Sequence, residues 1–166
     1  ARRDRGAPHR ARGVRHAARW PGPRRLAPAD GVPAWGVHGV AVHVFGDDLS
    51  LLSRRRDAAT NGLVLQAESM PGADFRALLD AFDGGWVAAA RFLSPALVVE
   101  LLRLSGGWTA DFYEAIDLEA AGEPVGFFAA GYGFPASSPW WQAVAREDVE
   151  RWVHRSQIRR AVGLGS

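Results

Sequence analysis

Apolar residues that recur every three or four positions restrict the fold of this chain more than any other feature of its sequence. Between residues 36 and 60, Val37, Val40, Val44 and Leu51 follow this spacing. A period near 3.6 residues places such side chains on one face of an α-helix, and that face is buried against other helices. The period recurs in later segments, so the sequence predicts an all-α protein with three to five helices. An up-and-down four-helix bundle is the simplest arrangement.

Capping and turn residues set the limits of the predicted helices. Asp74 precedes one apolar helical segment, and Ser94 precedes another that begins at Pro95, a residue favoured in the first helical turn. The predicted helices are 36 to about 60, 75–92, 95 to about 116, and 140–162. Gly106-Gly107 should interrupt the third helix, and Gly163 should end the last one. Between the helices we expect a turn at Pro71-Gly72 and a short extended piece at 125–129.

The composition excludes several functions. The chain has no Cys, which excludes disulfides, thiolate metal sites and a cysteine nucleophile. No apolar run approaches the roughly 18 residues that would suggest a membrane span, so we expect no membrane partner and a cytoplasmic location. The formal net charge is only +2, and no recognised nucleic-acid-binding motif is present, so we expect no nucleic-acid partner.

Residues 1–33 differ from the rest of the chain in amino-acid composition. They are crowded with Arg, Pro, Gly and Ala, and no apolar set among them recurs with the helical period. We therefore divide the chain into an irregular Arg/Pro-rich segment at 1–33 and a helical-bundle, metal-binding domain at 34–166. A basic arm that binds nucleic acid or a membrane surface is the alternative interpretation of the first segment.

The last predicted helix has a face that is apolar at both ends and polar in the middle. Glu150 and His154 lie one helical turn apart on it, so a carboxylate and an imidazole point the same way and can share one cation. A solvated surface pair is the alternative. Helical projection places on the same face Trp140, Ala143, Glu147, Ile158 and Ala161.

His43, in the apolar stretch VAVHVFGDD, is the candidate for a third ligand. Gly39 and Gly46 leave room beside it, although a hydrogen-bonded core histidine is the alternative. Two imidazoles and one carboxylate suit Zn²⁺, or another divalent first-row metal, with a coordination position left open. We therefore predict that His43, Glu150 and His154 bind a divalent metal, zinc first.

Asp47 and Glu147 are candidates for residues that would orient these ligands without binding the metal themselves. Asp47 follows His43 by one turn, and Glu147 shares the face of Glu150. Either carboxylate could orient a ligating group by a hydrogen bond. Charge on the helix surface is the alternative for both.

Two segments resemble signature patterns of the DinB-like four-helix-bundle superfamily, most closely the actinobacterial, mycothiol-dependent maleylpyruvate isomerase family. WGVHGVAVH, which begins at Trp35, matches the pattern W-x-V-x-x-V-x-x-H, and ERWVHRSQIR, which begins at Glu150, matches E-R-W-x-H-x-x-Q-I-R. The resemblance covers about residues 28–166. It implies the metal-binding N-terminal domain of that family, with His43, Glu150 and His154 as ligands of a metal that is usually zinc.

The resemblance also implies a function. Characterised members use the metal to activate a low-molecular-weight thiol, so mycothiol would be the cosubstrate of an isomerase or transferase that acts on an unknown small molecule. A homodimer is compatible with this expectation. The alternative is a non-catalytic bundle that binds a metal for structure, or binds a protein through exposed tryptophans.

The chain departs from the family pattern at both ends. The family's bundle should begin before Trp35, where this chain has its Arg/Pro-rich segment. Our hypothesis is that this segment is mistranslated, out of frame or wrongly predicted at the gene level. Many relatives also continue past the last bundle helix into a domain that grips the thiol. We expect that C-terminal domain to be missing after Ser166.

Overall fold

The computed structural model describes residues 35–122 and 138–164, and the secondary structure of this part is helical. This part has five α-helices and no β-strand, and Ala121 and Pro139 form an isolated bridge. The prediction of an all-α protein is confirmed for the described residues. The helices are α1 Val37–Leu51, α2 Gly62–Ser69, α3 Phe75–Ala89, α4 Pro95–Glu114 and α5 Trp140–Ala161.

The predicted caps of α3 and α4 are confirmed. The Asp74 carboxylate accepts a hydrogen bond from the backbone N–H of Ala77 at 2.8 Å, and the Ser94 hydroxyl accepts one from Leu97 at 3.2 Å. Each bond satisfies a donor that the first helical turn leaves unpaired. Gly163 has a φ of +79°, a left-handed conformation that glycine adopts without steric cost and that ends α5.

The prediction of one long helix from residue 36 to about 60 is wrong at its C-terminal end. α1 stops at Leu51, one π-helical turn covers Leu52–Arg56, and a separate helix, α2, follows. Asn61 caps α2 by accepting a hydrogen bond from the Leu63 N–H at 2.9 Å. Asparagine before the apolar GLVLQ stretch was the available signal, because its side chain favours a helix N-cap over a helix interior.

The predicted interruption of α4 at Gly106-Gly107 is also wrong, since α4 runs without a break from Pro95 to Glu114. A Cβ added to either glycine would meet no atom within 4 Å, so both lie on an open side of the helix. Glycine weakens a helix by about 1 kcal/mol relative to alanine. Packing of α4 on α1 overrides that local preference.

α1 is the central helix of the described fold, because it packs against α3, α4 and α5. Val40 and Val42 of α1 are completely buried. Val42 forms the core cluster together with Ala90, which directly follows α3, and Val98, which lies near the start of α4. The central position means that side chains from α3 and from α5 can both reach the same residue of α1.

Gly46 allows the close approach of α3 to α1. The indole ring of Trp86 covers it so tightly that a Cβ at residue 46 would lie 2.6 Å from Trp86 Cγ. The Trp86 ring also makes edge-to-face contacts with the rings of Phe45 and Phe82, both at a centroid distance of 6.4 Å. This packing places the middle of α3 beside the middle of α1.

None of the described helices has both the length and the apolar character needed to cross a membrane. The segment 1–33 and the extended piece expected at 125–129 lie outside the described residues.

Candidate metal centre

The structure brings His43 of α1 together with Glu150 and His154 of α5. Each residue contributes one nitrogen or carboxylate oxygen atom to a group whose members all lie within 4.8 Å of one another. The two imidazole rings stand edge to face, with centroids 4.8 Å apart and planes at 80°. A cation placed between the three groups would need only small side-chain adjustments to be bound by all of them.

His154 is held in an orientation that suits a metal ligand. The residue is 6% exposed, and its Nδ1 lies 2.9 Å from Oε1 of Gln157. Because a carbonyl oxygen only accepts, Nδ1 carries the proton in the neutral ring and Nε2 carries the lone pair. Nε2 is buried and has no hydrogen-bond partner, although Glu150 Oε2 is 3.3 Å away.

Glu150 forms the open side of this group, since its side chain is 54% exposed. The pKa of Glu150 is lowered mainly by its interaction with His154; partial burial acts in the opposite direction, and His43 and Arg146 lower the pKa further. The carboxylate is therefore ionised at neutral pH, which is the form that binds a cation. Its exposure leaves a side from which a small molecule could approach.

His43 lies in a strongly acidic environment. Nε2 is 3.3 Å from Oδ2 of Asp47 and Nδ1 is 3.5 Å from Oδ1 of Asp83. Burial lowers the pKa of His43, but Asp83, Asp47 and Glu150 together raise it above the usual 6.5. The Trp35 ring covers the imidazole at a centroid distance of 5.5 Å. His43, Asp47 and Asp83 form a second group of donor atoms within 4.8 Å of one another.

Asp47 and Glu147 are both close to the predicted ligands. Burial raises the pKa of Asp47 to about 7; His43 opposes this shift, while Asp83, Glu147 and Glu150 add to it. Glu147 contacts Arg146, with Oε1 at 3.4 Å from Nη2. Asp47 thus touches a candidate ligand directly, whereas Glu147 acts on Asp47 through its charge.

Asp83 of α3 was missed by the sequence reasoning. It is only 7% exposed, and its Oδ1 is buried with no hydrogen-bond partner. The available signal was its position one turn after Leu79 and three residues before Trp86, on the apolar stripe of α3. A carboxylate on a buried stripe needs a polar partner in another helix.

A second missed residue, Asp48, ties α5 to α1 and α4. It is 1% exposed and accepts hydrogen bonds from Ser105 Oγ at 2.7 Å and Thr109 Oγ1 at 3.1 Å. Nη2 of Arg151 also donates to the Asp48 carboxylate. Because Arg151 lies between the two candidate ligands of α5, this contact fixes how α5 is rotated toward α1.

A cavity of about 270 Å³ lies between α1, α3 and the start of α2. Ser50, which lines the cavity, is three residues after Asp47 on α1. Phe82, which also lines it, is the residue before Asp83 on α3. The cavity shares α1 and α3 with the candidate metal centre, but none of the three candidate ligands lines it. Its lining residues are Ser50, Ser53, Ala59, Thr60, Gly62, Phe82 and Trp86.

Comparison of the chain with models of protein families, with curated proteins and with solved structures finds no match.

Proposed function

We propose that this protein binds a divalent metal ion, zinc, through His43, Glu150 and His154. The observation that carries the proposal is the buried Nε2 of His154, which lacks a hydrogen-bond partner and lies beside the other two donors. A buried polar atom without a partner is uncommon in native proteins. A metal ion would supply the missing interaction.

The donor set favours zinc with an open position. Two imidazole nitrogens and one carboxylate oxygen are a ligand set found in catalytic zinc sites, where a fourth position remains for water or substrate. A metal bound there supplies Lewis-acid chemistry and lowers the pKa of a thiol or water. Gln157 holds the His154 ring, and Asp47 lies beside His43 as an acceptor for a proton or a hydrogen bond.

For the reaction we propose a thiol-dependent isomerase or transferase that uses mycothiol and acts on a small molecule. The two segments that resemble the maleylpyruvate isomerase family support this class, because they supply all three donors. The exposed side of Glu150 leaves a direction from which a thiol and a substrate could approach. The DinB-like bundle topology is part of the same proposal.

Elemental analysis of the purified full chain tests the metal site. We expect stoichiometric zinc in the wild type and its loss in His43→Ala and His154→Ala. His38→Ala is the matched control, because the His38 imidazole contacts the Leu93 carbonyl at 3.2 Å and is outside the donor group. Zinc retained by both site variants would disprove the proposal.

Cobalt substitution then tests for an open position. Addition of a small thiol to the cobalt-loaded protein should produce the charge-transfer absorption of a thiolate bound to the metal. A cobalt spectrum that is unchanged by thiol would exclude a thiol-dependent reaction at this metal. It would leave a structural metal as the function of the site.

A non-catalytic interaction protein is a second candidate, favoured by one surface of α5. Trp141, Val149 and Trp152 are 46%, 59% and 62% exposed, and their spacing places them on one side of the helix. Exposed apolar surface of this kind is typical of protein contacts, including homodimers. Sedimentation of the wild type and of Trp152→Gln tests it, since a dimer made by this surface would dissociate in the variant.

A further inference from the structure

Asp83 reaches the candidate metal centre from α3, a helix that provides none of the three proposed ligands. Its Oδ1 lies 3.5 Å from Nδ1 of His43. Both atoms are buried, and the geometry falls short of a hydrogen bond, so each is without a partner. A ring nitrogen and a carboxylate oxygen are thus enclosed beside each other.

We propose that Asp83 is the positioning residue of His43. In the metal-bound protein the Nδ1–H of His43 donates to Asp83, and the ring presents the lone pair of Nε2 to the metal. A small rotation of the imidazole completes the hydrogen bond. This inference rests on the proposed metal site and adds a third helix to it.

The burial of Asp83 supports this role over that of a surface charge. Its side chain is 10% exposed, against 34% for Asp47, so water cannot replace a lost partner of Asp83 as readily. Histidine ligands commonly donate their second ring N–H to a carboxylate, which fixes the tautomer and increases the basicity of the ligating nitrogen. Asp83 stands where such a carboxylate is required.

Asp47 has a different relation to the ring. It lies on α1 itself, one turn after His43, and faces Nε2 rather than Nδ1. With Asp83 holding Nδ1, Nε2 and the Asp47 carboxylate face the metal side together. The two carboxylates therefore act on opposite edges of one imidazole: Asp83 orients it, and Asp47 borders the position where the metal and its exchangeable ligand would lie.

Zinc titration of Asp83 variants tests the proposal in the full chain. Asp83→Leu removes the acceptor and keeps the branching of the side chain at Cγ, and we expect zinc affinity to fall about 10- to 100-fold. Asp83→Asn keeps an acceptor oxygen, so its loss should be smaller. Asp80→Asn is the matched control, because Asp80 of the same helix is exposed and pairs with Arg76, and its zinc affinity should equal that of the wild type.

The thermal stability of the metal-free variants separates positioning from folding. Without a metal, the charge of Asp83 repels that of Asp47, and removal of the Asp83 carboxylate relieves this repulsion. We therefore expect Asp83→Leu to melt at or above the wild-type temperature while it binds zinc more weakly. Zinc affinity equal to that of the wild type in Asp83→Leu would overturn the proposal.

Nitrogen-15 NMR of the imidazoles in the zinc-loaded wild type provides a test that needs no variant. We expect the His43 proton on Nδ1 and the metal on Nε2. A metal on Nδ1 would overturn the role of Asp83, even if Asp83→Leu failed to fold. Loss of zinc from His43→Ala and His154→Ala, together with that result, would leave the proposed metal site intact and remove only this inference.

Discussion

At the scale of single residues, the candidate centre is a place where one imidazole is surrounded by carboxylates. His43 is close enough to Asp47, Asp83 and Glu150 for all three to raise its pKa. Burial raises the pKa of Asp47 to about 7, and repulsion by the charges of Asp83 and Glu150 adds to this shift. Such a concentration of negative charge is favourable for a divalent cation and unfavourable for the metal-free fold.

The metal-free protein should therefore lose stability as the pH rises. For both Asp47 and His43 the folded-state pKa is above the unfolded value, so the folded state binds more protons and the slope of stability against pH is negative. The contribution of Asp47 is complete below its ordinary pKa of 3.8 and is lost by about pH 7. That of His43 is present below 6.5 and is lost as the pH rises through its folded-state pKa.

Thermal unfolding in the presence of a chelator, from pH 4 to 8, measures this effect. Asp47→Asn should flatten the decline, so the difference in Tm between the variant and the wild type grows up to about pH 7 and then stays constant. Asp80→Asn, an exposed carboxylate of α3, serves as the control and should leave the slope unchanged. An Asp47→Asn variant with the wild-type slope would contradict the expectation.

At the scale of elements, the glycines of α1 and α4 have opposite roles. Gly46 is covered by the Trp86 ring, whereas Gly107 faces open space. The first glycine permits two helices to approach, and the second only weakens its own helix. The sequence predicted a break only at Gly106-Gly107, and the packing shows which glycine is needed for a close contact between helices.

A pair of alanine substitutions tests this distinction. Gly46→Ala should destabilise the protein by about 1–3 kcal/mol, because the new methyl group overlaps the Trp86 ring. Gly107→Ala should stabilise it by up to about 1 kcal/mol, because alanine is the better helix former. Urea unfolding of the two variants gives both free energies, and equal effects in the same direction would show that α1 and α3 do not pack as described.

At the scale of the whole molecule, Asp48 connects three helices that are distant in sequence. Hydrogen bonds from Ser105 and Thr109 on α4 and from Arg151 on α5 all converge on its carboxylate, which is almost completely buried. Partly satisfied buried charges are costly, so this network strongly favours one relative placement of α1, α4 and α5. That placement also brings Glu150 and His154 to His43.

Arg151→Met should cost about 3–5 kcal/mol of folding free energy, because it leaves the buried Asp48 without its cationic partner. Arg155→Met, at an exposed position one turn later on α5, should change stability by less than about 0.5 kcal/mol. Urea unfolding measures both values. If the two variants were equally stable, the contact between Arg151 and Asp48 would not hold α5 in place.

The sequence by itself determined the approximate bounds of α3, α4 and α5 and provided the candidate ligands. Apolar spacing and the caps at Asp74 and Ser94 are local, since they depend on backbone geometry within a few residues. The one-turn separation of Glu150 and His154 is equally local. His43 could be identified as a candidate ligand because it is a polar, metal-binding residue type within an otherwise apolar helical segment.

Only the tertiary structure decided which side chains from different helices meet. The contact of Asp83 with His43 and the convergence of Ser105, Thr109 and Arg151 on Asp48 depend on the rotation and depth of each helix in the packed core. Helical periodicity gives the face of a helix but not its partner or its register against that partner. Those are set by close packing of all the faces at once, with Gly46 under the Trp86 ring as one of the contacts that determine them.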